Sequence, residues 1–558
     1  MLRMDYILQK SGAAIVVEEL IRQGVDVVFG YPGGYVINIY DELYKNSDKI
    51  KHVLTAHEQG AAHAADAYAR VSDTTSAVIA TGGPGATNLV TGIANAYLDS
   101  VPVVFITGNV PTPMRGGDSF QEIDTVGVTM PIVKHSFIVR DVQELRRTLA
   151  EAFMIAGSGR KGPVLVDIPK SVQLACAEND ELPARPEKGS GSGVYTGSLD
   201  DALDALRDSS RPYIYCGGGV ISSGTGGDVL RLSGKLGAPV GASMMGIGAV
   251  PDSYELSLGM SGMHGRYGST VAMAEADLIL ALGVRFSDRA TGNAREYGKN
   301  AKIIHIDIDA AEIGKNVRPD VSLCGDLRII LPELAERCGG VTPNASWLSK
   351  VAELKSADAE VAAGGFTPRD IIRLVNGMHD SSTIVATDVG QHQMWVAQHY
   401  RFEQPRKFIT SGGLGAMGFG LGAAIGACIA CGRKRTILFT SDGSFGMNLT
   451  ELATAVAQIL PITIVLLNNG VLGMLRQWQA LFLEGRYSAT TLDRKTDFPA
   501  LAKAFGAAGF AVSCINELEA ALLAAPDAGP SLIDCSIDMD EKVYPMIPDG
   551  GTLADMLY

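Results

Sequence analysis

Ser441-Asp442-Gly443-Ser444 closes one β-rich run and Asn468-Asn469 closes the next, and these residues are suited to holding a divalent cation against a phosphate group. The Asp442 carboxylate, the Asn469 amide and the backbone carbonyl of Val471 are hard oxygen donors; two phosphate oxygens and a water would complete an octahedral Mg²⁺ site. Gly443, with Ser444 beside it, leaves the backbone bare for close approach of a phosphate. The run SDGSFGMN (441–448), the helical pattern LTELATAVAQI and the apolar run ending in Asn469 read as one β-α-β unit. Parallel strands open their carboxyl ends on a common crevice, so Asp442 and Asn469 converge despite their separation in sequence. An Asp-Gly alone is an ordinary strand-end turn; the Asn-Asn at this spacing makes it a cation site.

Glu58 is the second group placed for chemistry, in TAHEQGAAHAADAYAR, after a strand and at the start of an Ala-rich helix. Burial of such a helix face raises a carboxyl pKa toward the range useful for proton transfer. The same glutamate is equally consistent with a first-turn residue favoured by the helix dipole. His57 and His63 read as helix-packing residues.

Both groups need a parallel-sheet scaffold. The runs DVVFG (26–30), KHVLTA (51–56), SAVIATG (76–82) and VPVVFITG (101–108) alternate with helical patterns starting near Tyr35 and at Glu58. PYIYCGGG (212–219), ADLILALG (276–283) and AKIIHIDID (301–309) form a second such series, and STIVATD (382–388), RTILFTSD (435–442) and PITIVLLNN (461–469) a third. The reading is α/β with three domains, each a mainly parallel sheet flanked by helices, over residues 1–182, 190–340 and 365–558. LPARPEKGSGSGVYTGS (182–198) separates the first two as a linker.

Composition removes several function classes. A formal net charge of −14 without a Lys/Arg-rich run argues against a nucleic-acid surface. Residues 408–432 are uncharged but carry eight glycines, and read as a buried loop and helix, not a membrane span. The amino terminus shows no export signal, and eight scattered cysteines suit a reducing, cytoplasmic compartment. Cys428 and Cys431 form a Cys-x-x-Cys with no second pair or nearby His, and read as buried inert thiols.

The Asp-Gly…Asn-Asn arrangement resembles the metal-diphosphate motif of thiamine-diphosphate enzymes, with Ser441 where the family usually has Gly; a requirement for positive φ would strain that serine. Such enzymes set a carboxylate against N1′ of the aminopyrimidine, because protonation there shifts the 4′-amine to an imine able to deprotonate the thiazolium C2. HEQGAAHAADAYAR resembles the family's catalytic-glutamate segment and gives Glu58 that role. Further blocks are similar, end to end, to the catalytic subunits of the acetohydroxyacid synthase family, among them GYPGG (30–34), GPGATN (83–88), FQE (120–122), GPVLVDIPK (162–170), GMHG (262–265), GQHQMW (390–395) and TSGGLGAMGFG (410–420).

The resemblance implies decarboxylation of pyruvate and condensation with pyruvate or 2-ketobutyrate. It implies that Gly390, Gln391 and His392 hold the diphosphate together with Gly415, Gly443 and Ser444, and that Met417 bends the cofactor into a V. Phe120 and Gln121 would line the reaction pocket, with Lys134 near its entrance and Tyr35 beside the channel. Arg289 would pair with the acceptor's carboxylate, and Trp478 with Met474 would meet its alkyl group; from composition alone a surface Arg and a core Trp serve as well. RFSDRATG (285–292) with HIDID resembles the flavin-containing branch, implying FAD on Gly217, Gly218, Arg285, Asp307 and Asp326 in a role without hydride transfer. The resemblance also implies a homodimer or homotetramer, with Glu58 and Asp442 meeting across the interface, and a small regulatory subunit as partner.

The chain departs from the family near the pocket. Tyr35 follows GYPGG where Ala is usual, Ser287 replaces Asp, and Arg115, Gly117 and Ser119 also differ. A phenol in place of a methyl narrows the channel or displaces a neighbour, which predicts weak binding of sulfonylurea-type inhibitors that plug it. The departures leave open a related carboligase or decarboxylase acting on another 2-keto acid or aldehyde. Intact Glu58, Asp442 and Asn469 speak against a third reading, an inactive relative serving as a binding partner.

Overall fold

Aliphatic and β-branched runs closed by Gly, Thr or Asp form strands where the sequence predicts them. DVVFG becomes Val27–Tyr31, ADLILALG becomes Leu278–Leu282 and PITIVLLNN becomes Ile462–Asn468. All three are almost wholly buried, as expected of strands covered by helices on both faces. The structure is a computed structural model and describes residues 10–177, 194–357 and 365–558. Most of the stretch read as a linker, and the start of the amino terminus, lie outside the described residues.

Apart from a two-residue antiparallel pair, Lys10–Ser11 with Cys176–Ala177, the described strands assemble into three parallel sheets of six strands each. In the first, the spatial order is Lys51–Leu54, Val27–Tyr31, Ser76–Ala80, Val103–Asn109, Val164–Pro169, His135–Ile138. In the third it is Phe408–Ile409, Ile384–Thr387, Thr436–Ser441, Ile462–Asn468, Ser531–Ser536, Ala508–Val512. Each chain path leaves its first strand to one side and then crosses to the other, which opens a crevice at the carboxyl ends of the strands flanking the reversal. Those pairs are Val27–Tyr31 with Ser76–Ala80, Pro212–Cys216 with Leu278–Leu282, and Ile384–Thr387 with Thr436–Ser441.

The middle unit runs past residue 340, where the sequence predicts it to close. A helix over Ala345–Ala357 packs Trp347, Val351 and Leu354 into the middle domain, and the Trp347 indole N–H donates to Pro212 O at 3.1 Å. Strand signals do vanish there, but the amphipathic helix belongs to the sheet before it.

The first and third domains share one core through the helices Glu58–Ser72 and Phe419–Ala430. A Cβ on Gly426 would lie 1.8 Å from Ala64 O and one on Gly422 would lie 2.9 Å from Gly60 O, so the glycines permit the backbone approach. The uncharged 408–432 segment is thus largely this buried contact, and no described helix is long and apolar enough to cross a membrane. All eight cysteines are free; Cys428 is buried in the contact, while Cys431 is partly exposed and donates to the carbonyl of Cys428. Arg70 locks the domains together, pairing with Asp66 at 2.6 Å and Asp99 at 2.9 Å and donating to Thr410 O. Removing one member of such a buried set costs about 3–5 kcal/mol, because the remaining charge stays unpaired.

Candidate active site

At the reversal of the third sheet the helix Asp442–Asn448 begins directly after the strand, earlier than the helical pattern suggests. Ser441 caps it in extended conformation, φ −133°, so the serine that replaces the family's glycine carries no left-handed strain. Ser444 Oγ donates to Val389 O at 2.6 Å and ties the two strand ends flanking the crevice. Asp442 is buried and its Oδ1 has no hydrogen-bond partner; burial lifts its carboxyl to about 6. His392 is buried too, with Nε2 unpartnered, and burial holds it neutral, down to about 3. Gly390 immediately precedes its helix, Gln391–His399.

The turn after Asn468 completes this cluster. Asn469 Oδ1 accepts from Val471 N at 3.2 Å, and its Nδ2 lies 3.4 Å from Gln391 Oε1. Gln391 donates in turn to Gln477 Oε1 and Glu541 O, so its amide is engaged in bracing this turn. Residues 470 and 472 bond to the 490–492 segment on either side of Val471, which leaves the Val471 carbonyl outside that ladder. A Cβ on Gly443 would fall 3.0 Å from Leu472 Cδ2 and 3.9 Å from Met417 Cε, so the bare glycine keeps an open space between these apolar side chains.

Met417 stands in a glycine-rich loop, which includes Gly415 and is held from both ends. Asp99 of the first domain accepts from the N–H groups of Gly412 and Gly413. Asp388, at the carboxyl end of Ile384–Thr387, accepts from Gly418 at 2.8 Å and Gly420 at 3.2 Å. Burial lifts the Asp388 carboxyl to about 6 against the pull of the backbone N–H groups of Val389, Gly418, Phe419 and Gly420. Sequence reasoning missed Asp388 and Asp99; a strand-end Asp in TDVG was the available signal for the first.

The other predicted group lies at the carboxyl edge of the first sheet. Glu58 opens its helix, is 9% exposed, and accepts from Asn88 Nδ2 at 3.0 Å. Asn88 ends the short helix Pro84–Asn88 that follows the Gly82-Gly83 turn, and Gly85 in that helix would place a Cβ 3.1 Å from Glu58 Oε1. Gln121 abuts the same turn: Gly83 has φ +64° and a Cβ there would lie 2.7 Å from Gln121 Cβ. Phe120 is 80% exposed, and Tyr35 Oη donates to its carbonyl at 2.6 Å. Glu451 of the third domain accepts from Ala56 N and His57 N and so fixes the entry to the Glu58 helix.

Lys134 is not brought to this cluster. It precedes His135–Ile138 and so lies at the amino edge of the sheet, where its ammonium donates to Ile155 O at 2.5 Å and Ser158 O at 2.7 Å; burial lowers it to about 8. Arg289 lies on the surface and pairs with Asp549 of the carboxyl-terminal segment. That segment also bonds to Gln477 through Val543 and to Met263 through Ile547, bridging the middle domain to the helix Gly473–Phe482. Met474 and Trp478 share a face of that helix one turn apart, both partly buried, with Trp478 against Phe482 at 5.1 Å.

Gly217, Gly218, Arg285, Asp307 and Asp326 all fall at the carboxyl edge of the middle sheet. Gly217 is demanded by the chain itself, since a Cβ there would lie 2.0 Å from Gly283 O. Asp326 caps a helix and pairs with Arg328. Arg285 is half-buried beside Gly413, and burial lifts Asp307 to about 6.

Comparison with known proteins matches this architecture domain by domain. Residues 10–128 match the thiamine pyrophosphate enzyme N-terminal TPP binding domain, 199–334 its central domain and 388–535 its C-terminal TPP binding domain. The chain is 42% identical to the acetolactate synthase isozyme 1 large subunit of Escherichia coli, over 98% of this chain and 97% of that protein. It is 43% identical to the isozyme 2 large subunit of the same organism, over 98% and 99%, and 42% identical to a probable acetolactate synthase large subunit of Methanocaldococcus jannaschii, over 98% and 95%.

Proposed function

The chain belongs to the acetolactate synthase large subunits among the thiamine-diphosphate enzymes, and from that premise we propose that it joins the two-carbon unit of pyruvate to pyruvate or 2-ketobutyrate, using Mg²⁺ at Asp442, Asn469 and the Val471 carbonyl. The observation that carries the site is the pair of buried, unpartnered polar atoms, Asp442 Oδ1 and His392 Nε2, at the crevice of the third sheet above bare Gly443. A cation satisfies the first and a phosphate group the second. Bound thiamine diphosphate supplies an electron sink for loss of CO₂ and for carbon–carbon bond formation.

The chain's own residues do the rest. With the cofactor bound, Glu58 would hold a proton at N1′ of the aminopyrimidine, Met417 would support the cofactor from its glycine-rich loop, and Ser444, which ties two strand ends, would steady the residues that hold the diphosphate. Glu58 and Asp442 belong to different sheets, and we take the working unit to be a homodimer in which each site draws on both subunits. FAD at the carboxyl edge of the middle sheet and a small regulatory subunit complete the assembly, in a cytoplasmic setting. An acceptor carboxylate bound by Arg289 has to displace that of Asp549.

Product identification by mass spectrometry tests the reading. Pyruvate with thiamine diphosphate, Mg²⁺ and FAD should give acetolactate, and added 2-ketobutyrate should give acetohydroxybutyrate. CO₂ or acetaldehyde without either product would instead favour a sister decarboxylase or carboligase, the reading that Tyr35 and Ser287 support. Trp478→Leu is expected to lower the preference for 2-ketobutyrate over pyruvate roughly tenfold, since one methylene in an apolar contact discriminates by about that factor. Unchanged product ratios in the competition would remove Trp478 from acceptor recognition.

Mg²⁺ binding carries a pH signature. Burial raises Asp442 to about 6, so the folded chain holds this proton more tightly than the unfolded chain does, and proton and cation compete for the same oxygen. Affinity for Mg²⁺, titrated calorimetrically with thiamine diphosphate present, is expected to be about tenfold weaker at pH 5 than at pH 7. A flat profile would separate Asp442 from the cation.

A further inference from the structure

Tyr35 stands where two loops of the first domain meet, and its backbone is fixed on three sides. Its N–H donates to Thr81 Oγ1 at 3.3 Å and its carbonyl accepts from Gln173 Nε2 at 2.7 Å. Gly108 packs so closely that a Cβ there would lie 2.3 Å from Tyr35 O. From this anchored backbone the phenol reaches the Phe120 carbonyl, 85 residues away in sequence, at 2.6 Å.

The segment that receives this bond is mostly exposed and bonds largely to itself. Glu122 accepts from the N–H groups of Gly116 and Ser119, and Ser119 Oγ donates to Met114 O. Thr112 ties its beginning to Ser171, and Asp124 caps the helix Thr125–Thr129 beyond its end. Between these ties, Gln121 adopts the left-handed region at φ 61°, which a non-glycine residue keeps only where its surroundings impose it. An exposed loop with few apolar contacts opens at small free-energy cost, so a short bond from a rigid anchor has a large share in holding its tip.

We propose that Tyr35 is a positioning residue whose hydroxyl latches the Phe120 carbonyl and thereby holds Gln121 against the Gly83 turn beside Glu58. The proposal rests on the reading of Gln121 as a pocket residue. It also changes what this tyrosine does: the phenol is tied to the opposite loop, and the side chain joins the two walls instead of standing free between them.

The test uses the full chain with thiamine diphosphate, Mg²⁺ and FAD. Tyr35→Phe keeps the ring and removes one hydrogen bond, so amide hydrogen exchange over 116–121 is expected to quicken about fivefold, with the melting temperature unchanged. The kcat for acetolactate is expected to fall about fivefold with KM for pyruvate within about twofold of the parent, as for a lost alignment of pocket groups. In a Gln121→Ala background Tyr35→Phe should lower kcat no further, because its effect passes through Gln121. Unchanged exchange at 116–121 would overturn the latch, and additive losses in the double variant would overturn its action through Gln121. If the parent protein forms no acetolactate, the pocket reading fails, while the exchange measurement still decides the latch.

Discussion

Glu58→Gln is expected to cut acetolactate formation by about 10²- to 10⁴-fold, the usual contribution of a positioned proton donor and acceptor. The change preserves shape and removes only the ability to exchange a proton. Glu58 is buried and, among the described residues, its carboxylate has one hydrogen-bond partner, Asn88 Nδ2 on Oε2, so an amide fits the same space with its oxygen toward Asn88. Binding of thiamine diphosphate and Mg²⁺ should therefore stay within about threefold of the parent, because the diphosphate and cation are held by the third domain and an amide turned with its oxygen toward Asn88 still offers an N–H to N1′. Exchange of the cofactor's C2 proton for deuterium, followed by NMR after acid quench, isolates the step before substrate enters. Slow exchange with intact binding is the expected result. Exchange at the parent rate would assign Glu58 to the helix terminus alone, the electrostatic role its first-turn position also suits.

Much of this site was legible because strands closed by Gly, Asp or Asn have their sequence signal and their chemistry in the same place. Asp442 and Asn469 directly follow consecutive strands, and the parallel pairing of Thr436–Ser441 with Ile462–Asn468 brings them to one crevice. Among the strands the sequence reading did not name, Val240–Ala242 and Phe408–Ile409 have too few residues for any alternation to register, whereas Val164–Pro169 and Ser531–Ser536 are buried apolar runs of ordinary length that periodicity does not distinguish from helix. Asp388 escaped for a different reason. Its partners are the backbone amides of Val389 and of a loop some thirty residues away, and no motif encodes a bond to backbone. Lys134 shows the converse limit, since a sequence block fixes a residue's neighbours in the chain but not which edge of the sheet its side chain serves. Ser441 shows that a departure from a family pattern acquires meaning only with its dihedral angles, which here are extended.

Asp442→Ala is expected to weaken Mg²⁺-dependent binding of thiamine diphosphate by about 100-fold or more, since it removes the only carboxylate of the proposed cation site. The effect on the protein without ligands should have the opposite sign. Asp442 is buried with one oxygen unpartnered, and its carboxyl is raised to about 6, so near pH 7 the empty site holds a charge that burial disfavours. Deleting it relieves a desolvation penalty of about 1–3 kcal/mol, less whatever its backbone hydrogen bonds contribute, and the ligand-free variant should melt at or slightly above the parent. Addition of Mg²⁺ and thiamine diphosphate then reverses the order, because ligands that bind only the folded state stabilise the parent by mass action and leave the variant nearly unmoved. Thermal melts with and without ligand separate the two effects in one experiment. A variant that melts well below the parent without ligand would mean that Asp442 holds the turn together, whereas equal stabilisation of both proteins by ligand would move the cation elsewhere. The crossing of the two melting curves is what a buried carboxylate kept for a metal predicts, and a structural aspartate does not produce it.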